Sequence, residues 1–281
     1  MPSSPRAVFL PSFETTTFVA NIDLYRLEYL FDLIRELVSR EIKIQYKRSY
    51  LGVAWTIALP LTQLIVFSVV FKGVLKLDIP NYGAFVFCGL LVWNWFQLST
   101  VQGAVAIIHK PELISRPGFP TWVLPIVFVT INLIHFLVSL PFLVVLLLMK
   151  GGVLTWWVLL LPAVVAIQFV FLLGLSLIVA TTNVVLRDTQ HLLSVMLPLL
   201  FYLTPVCYDV KLVPASLKWV YQLNPLTHLL EAYRSILIFG KPPELTGLLL
   251  LSLLSVIVVW YGNRIFHQKS HTFIHYLFLR Q

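Results

Sequence analysis

The chain has 281 residues, of which 59% are hydrophobic and 11% charged, with a mean hydropathy of +0.88 and a formal net charge of +8. So little charge excludes a water-soluble domain of ordinary composition and places the chain among polytopic membrane proteins. The positive balance does not point to nucleic acid: no basic patch stands clear of apolar surface, and the seven Lys and Arg before residue 50 are mixed with six acids.

Residues 1–25 contain Pro2, Pro5 and Pro11 among Ser and Thr and lack an apolar core followed by a small-residue cleavage site, so they are expected to form a mobile tail that stays on the chain. Over residues 26–45 the acids Glu28, Asp32 and Glu36 recur every four residues with Arg40, while Leu30, Leu33, Ile34, Leu37 and Val38 fall on the other face. Such a helix is expected to lie in the membrane interface. The competing reading is a helix packed on a soluble partner. Tyr46, Lys47 and Arg48 then stand at the membrane entry, just before the first apolar run.

A helix needs about 20 apolar residues to cross a bilayer, and six stretches qualify. They are Val53 to Val74, Ala84 to Ile108, Trp122 to Met149, Leu154 to Thr182, His191 to Cys207 and Leu245 to Phe266. The fifth is the shortest and is bounded by Arg187 and Asp188 before it and Asp209 and Lys211 after it. Pro60, Pro125, Pro141, Pro162, Pro198 and Pro205 all fall inside spans and are expected to kink them. With both termini on one side, that side collects thirteen of the twenty Lys and Arg, which makes it the cytoplasmic side. Between the last two spans, Asn224-Pro225 starts and Gly240 with Pro242 stops a helix of ~15 residues and ~22 Å. It carries Glu231 and Arg234 at its middle, so it is expected to dip into the outer leaflet with "ASLKWVYQL" rather than cross. The fold class is therefore an all-α membrane protein: six transmembrane helices, an N-terminal amphipathic interface helix and short re-entrant helices between spans five and six.

The chemistry is sparse. "FGKPPE" holds a Gly-Lys pair without the rest of a P-loop, and no dinucleotide, nucleophile-elbow or zinc-protease motif occurs. No Asp, Glu, Lys or Arg occupies the centre of a span, against the habit of ion-coupled carriers. Cys88 and Cys207 read as small buried apolar residues. His267, His271 and His275 share a helical face without a carboxylate or cysteine and read as interfacial imidazoles on a basic tail, so no metal is expected. Trp156, Trp157 and Trp260 suit an interface belt. Trp93 and Tyr202, each near a polar neighbour in Asn94 or Thr204, suit either core packing or the aromatic wall of a path for sugars.

In order along the chain, "YKRSYLGVAWTIALP", "GLLVWNWF", "LISRPGFP", "RDTQHLLSVMLPLLFYLTPVCY" and "NPLTHLLEAYR" resemble the ABC-2 type permeases that export polysaccharides and polyol-phosphate polymers, as in O-antigen, capsule and teichoic acid export. The resemblance covers nearly all of residues 26–270. It implies a permease domain over 46–266 with a cytoplasmic tail over 267–281, in the bacterial cytoplasmic membrane. It also implies a partnership of two copies with two separate ATP-binding subunits, which would carry ATP and Mg; this chain would bind no cofactor. Coupling to the ATPase is expected through Leu113, Ile114, Ser115 and Arg116, with Arg187 and Asp188 contacting the same partner. Candidate channel-lining residues are Trp55, Trp93, Asn94, Phe96, Phe201, Tyr202, Thr204 and Tyr208. The cargo implied is a lipid-linked glycan or polyol-phosphate polymer, with membrane lipid around it and no nucleic acid. The "LISRPGFP" loop has fewer basic residues than many members, and the first 25 residues match nothing in the family.

The chain is accordingly expected to be a transport subunit and not an enzyme. One rival is an exporter of drugs or simple lipids on the same plan. The other is a membrane glycosyltransferase, for which His228, Glu231 and Arg234 are the candidate acid, base and phosphate binders.

Overall fold

The computed structural model describes residues 15–50, 52–74, 76, 79–152, 154–270 and 272–273, with side chains from residue 27 onward except Val53. The described residues contain helices and turns and no strand. Helix α1 runs from Thr15 to Gln45, because neither Pro nor Gly interrupts the chain between Pro11 and Gly52. It therefore begins eleven residues before the expected start at Arg26 and takes in part of the segment read as a tail; residues 1–14 lie outside the described residues. Its apolar stripe does not simply face lipid. Val38 is buried, and Leu30, Leu33, Ile34, Leu37 and Ile42 pack beside it against Val123, Val127 and Ile131. Arg48, with φ of 65°, turns the chain away after α1.

Helix α2 (Trp55–Phe67) continues as a π-helical stretch over Ser68–Val74. Then come α3 (Tyr82–Val105), the single turn α4 (Pro111–Ile114), α5 (Val123–Leu148) and α6 (Leu161–Val185), the last entered through a 3-10 turn at Trp156–Leu160. They are followed by α7 (Thr189–Tyr202), α8 (Lys218–Leu223), α9 (Pro225–Leu237) and α10 (Leu245–Ser270). Among the described residues five helices are long and apolar enough to cross a membrane: Trp55–Val74, Tyr82–Val105, Val123–Leu148, Trp156–Val185 and Leu245–Ser270.

The fifth expected span is shorter than the sequence suggests. Helix α7 has 14 residues, about 21 Å at 1.5 Å each. The chain leaves the helix at Leu203 because Pro205 has no N–H to donate and disfavours a helical Thr204. Other prolines sit more easily than expected. Pro125 is in the first turn of α5 and Pro162 near the start of α6, where an N–H would find no partner anyway, so only Pro60, Pro141 and Pro198 interrupt a helix interior.

Helix α3 forms the axis of the fold. Nearly every side chain from Tyr82 to Phe96 is buried, which is why its sequence shows no one-sided apolar face. Around it stand α2, α5, α6, α7 and α9. Helices α6 and α10 approach most closely at two glycines: a Cβ on Gly174 would lie 2.5 Å from the Val259 nitrogen, and one on Gly262 would lie 2.5 Å from the Gly174 carbonyl oxygen. Small residues at such a crossing let helices pack in a bilayer, where water supplies no hydrophobic force between them. Amides in the core are tied across helices: Gln168 donates to the Val92 carbonyl at 3.2 Å and Asn183 to the Ala104 carbonyl at 2.8 Å.

Candidate functional sites at the two ends of the bundle

At one end the termini of α3, α6 and α10 meet α4 in an apolar cluster of Ile107, Ile114, Leu124, Val184, Phe266 and Phe273. The four coupling candidates on α4 and its exit divide by role. Ile114 is a buried anchor at 5% exposure, Leu113 is half-buried against the same cluster, and Ser115 and Arg116 are exposed. Ser115 Oγ donates to the Pro111 carbonyl at 2.9 Å, closing the turn. Arg187 and Asp188, in the turn from α6 to α7, are exposed a few residues after Val184, so they belong to the same end. Lys110 Nζ reaches Glu41 Oε2 at 2.7 Å, the one ion pair among the described residues, and ties α1 to the start of α4.

The membrane-entry residues fall beside this pair of helices. Lys47 and Arg48 are exposed, while Tyr46 turns inward and its hydroxyl stands 3.1 Å from Nε2 of His135. Tyr46 thereby opens a cavity of about 290 Å³ between α2, α3 and α5, with Asn94, Gln102, Asn132 and His135 among its lining. Asn132 donates to Gln102 Oε1 and to the Phe128 carbonyl, both at 2.8 Å. Apart from Asn94, sequence reading had passed over these residues. The signal was present in α5, where Asn132, His135 and Ser139 recur at steps of three and four within an otherwise apolar run.

The eight channel-lining candidates are not one surface in the single chain. Trp93, Phe96 and Thr204 are buried; Asn94, Phe201 and Tyr208 are half-buried; Trp55 and Tyr202 are exposed. Trp93 packs on Phe96 and edge-on to Phe201, with ring centroids 5.3 Å apart in both pairs, and its indole donates to Gln97 at 2.7 Å. Asn94 donates to Gln63 of α2 at 3.1 Å. Phe201 continues the row to Phe67 and Tyr202. Tyr208 donates to the Tyr202 carbonyl at 2.6 Å and stands 2.9 Å from the Tyr221 hydroxyl. The aromatic row thus joins α2, α3 and α7 and ends in the open at Tyr202.

At the opposite end, three of the sequence motifs converge on one arginine. Arg234, 3% exposed, donates from Nη1 to the Pro205 carbonyl at 2.7 Å and from Nη2 to the Val206 carbonyl at 2.6 Å, and lies 3.6 Å above the Phe85 ring. Planar guanidinium is suited to such a fork, and the paired carbonyls with the ring face compensate its desolvation. Burial lowers its pKa to about 10, so it stays charged at neutral pH. Gly89 makes room, since a Cβ there would stand 2.6 Å from the Val206 carbonyl oxygen and 2.8 Å from Nη2. Tyr82 donates to the Cys207 carbonyl at 3.1 Å. Asn224 accepts from the Leu226 N–H at 3.0 Å, capping α9, and donates to Thr204 Oγ1 at 2.9 Å. The expected start and stop of this helix are observed, with Gly240 at φ of 59° beyond its end. Arg234 is therefore a clamp between α9 and the turn after α7, and both Nη groups of its guanidinium are held by backbone carbonyls rather than turned to a phosphate.

Cys88 and Cys207 are free and buried, in line with their reading as small core residues. Among the described residues no group of His, Cys, Asp and Glu converges as metal ligands. His267 lies on α10, whereas His271 and His275 lie outside the described residues.

The family model described as the ABC-2 type transporter matches residues 32–238. The chain is 37% identical over 243 residues to the O-antigen export system permease protein RfbA of Myxococcus xanthus, covering 86% of this chain and 94% of that protein. A protein of the same description from Klebsiella pneumoniae is 33% identical over 217 residues, 77% of this chain and 84% of that protein. The polysialic acid transport protein KpsM of Escherichia coli is more distant, 21% identical over 256 residues.

Proposed function

This chain belongs to the ABC-2 type transporter family, and from that membership we propose that it is the membrane-spanning subunit of an ATP-driven exporter of a lipid-linked polysaccharide of the O-antigen kind. The observation that carries the reading is its likeness to an O-antigen export permease over 94% of that protein's length. Polyol-phosphate polymers share the requirement for an open path and remain within the same cargo class. A relative named for polysialic acid transport also favours glycan over drugs or simple lipids. The clamped state of Arg234 argues against the glycosyltransferase alternative, which needs that guanidinium for a phosphate.

In this reading the chain crosses the bacterial cytoplasmic membrane with both termini in the cytoplasm. Helix α7 with the turn through Cys207 is the sixth crossing, and α8 and α9 dip in from the outer side. Two copies enclose the path, and the exposed apolar faces of α2 and α7, including Trp55 and Tyr202, offer the surface for it. The α4 end docks two ATP-binding subunits that carry ATP and Mg²⁺. Leu113, Ser115, Arg116, Arg187 and Asp188 meet them, while Ile114 transmits the movement into the α3, α6 and α10 cluster. ATP can bias the dimer only if the ATPase binds its states with different affinity, so the contact must change between them.

The test is purification of the full chain from its source cell in detergent, with mass determination and an ATPase assay. A complex of two permease chains with two nucleotide-hydrolysing chains is expected. A chain that purifies without any such partner overturns the proposal.

A further inference from the structure

Helix α9 turns its two sides to different surroundings. Leu226, Leu229, Leu230, Tyr233 and Ile236 are buried in the core. Thr227, Glu231 and Arg234, at steps of four and three, share another stripe. That stripe borders two adjoining cavities of about 240 and 360 Å³, between α9, the start of α10 and the segment after α7. The cavities share His228, Glu231, Glu244 and Gly247 in their walls.

All three residues of the stripe have hydrogen-bonding capacity to spare. Thr227 Oγ1 and Arg234 Nε have no hydrogen-bond partner among the described residues, although each residue is only 3% exposed. The half-buried Glu231 carboxylate has neither a hydrogen bond nor an ion pair among the described residues. Buried polar groups are normally satisfied, so a donor, an acceptor and a hydroxyl left open along one stripe indicate a missing hydrogen-bonding occupant. His228 is already committed through Nε2, which donates to the Gln222 carbonyl at 2.8 Å.

The chemistry of the walls selects the occupant. In the walls Asp209, Glu231 and Glu244 outnumber Lys211 and the already clamped Arg234, which disfavours an anion, and no metal-ligand group converges among the described residues. A hydroxyl can donate to a carboxylate and accept from an N–H, so a ring carrying several hydroxyls matches every open group. Phe239 in the first cavity and Tyr221 in the second add aromatic surface for the C–H faces of such a ring. We propose that the cavity beneath α9 binds one neutral sugar residue through its hydroxyls, with Glu231 as the central acceptor. The proposal deepens the exporter reading, on which it rests only for the source of the sugar, a chain passing the outer end of the bundle.

The test uses the full chain in lipid nanodiscs and saturation-transfer NMR with the methyl glycosides of glucose, galactose, mannose and rhamnose. Transfer from at least one is expected, with affinity weakened roughly tenfold in Glu231→Gln, where the charged acceptor is lost and the shape kept. Thr246→Trp, on the exposed wall of the second cavity, is expected to abolish transfer without altering Glu231. Cooperative thermal unfolding of both variants, with midpoints no lower than wild type at the assay pH, establishes that they fold. No transfer from any of the four glycosides, or equal transfer in both variants, overturns the proposal. Calcium binding that Glu231→Gln removes, with no sugar transfer, also overturns it and makes the cavity a cation site. Sugar binding by a chain that recruits no ATPase supports the proposal and defeats the exporter reading; an ATPase complex whose permease binds no sugar does the reverse.

Discussion

Gly89 has space for a hydrogen and little else, because the Val206 carbonyl and the Arg234 guanidinium both close on it. Gly89→Ala should lower stability by about 1–3 kcal/mol through overpacking, read as a drop in thermal midpoint in detergent. Arg234→Met should cost more, since two buried carbonyls each lose a charged donor at about 1–3 kcal/mol. Arg234→Lys should not recover the loss, because an ammonium cannot reproduce the planar fork. Glu231 offers a pH readout in the same region. Burial raises its pKa above the ordinary 4.5, so the folded chain keeps that proton to higher pH than the unfolded chain. The resulting stability is present below about 4.5 and is lost as pH rises through the raised value. Glu231→Gln should flatten that decline, so the thermal midpoints of variant and wild type should agree at acid pH and separate, wild type lower, toward neutrality.

Two helices that differ in length share one mechanical arrangement. Helix α1 is held along its apolar stripe by the start of α5 and at its end by Glu41 to Lys110, so it moves with α4 or strains both contacts. The ion pair is partly exposed and by itself contributes no more than about 1 kcal/mol; the apolar stripe dominates. Val38→Asp should therefore release α1, with faster amide exchange over residues 27–45 and unchanged exchange in α3. On α4 the neighbouring positions should separate function from stability. Ile114→Asp removes a core anchor, with a loss of about 2–5 kcal/mol or more. Leu113→Asp should leave insertion and folding near normal, at a loss of about 1 kcal/mol, yet abolish export. Normal export in a folded Leu113→Asp chain would remove α4 from the coupling path.

For the whole molecule, the burial pattern separates surfaces that the sequence leaves alike. Tyr202 on α7 and Leu249 on α10 are both exposed and apolar, at 69% and 60%, but only the first continues an aromatic row into the bundle. In the assembled exporter, Tyr202→Cys should react with a water-soluble maleimide, whereas Leu249→Cys against lipid and Phe96→Cys in the core should not. Labelling of Leu249→Cys with protection of Tyr202→Cys would place the path on the other side of the chain.

The sequence alone determined the membrane class, the main apolar spans, the boundaries of α9 and the absence of a P-loop. These depend on local quantities: span length against bilayer thickness, Asn and Pro before a helix, Gly after it, and motif spelling. Helix α7 was overestimated because hydropathy cannot register that Thr204 to Cys207 are buried under α9 rather than in a continuing helix. The apolar stripe of α1 was legible, but its partner was not, since lipid and the start of α5 present the same apolar chemistry to it. Trp93 and Tyr202 likewise looked equivalent until packing buried one and exposed the other. The clamp of Gly89, Val206 and Arg234 was decided only by tertiary structure, because its bonds run to backbone carbonyls of residues 28 and 29 positions away and backbone atoms carry no mark in the sequence.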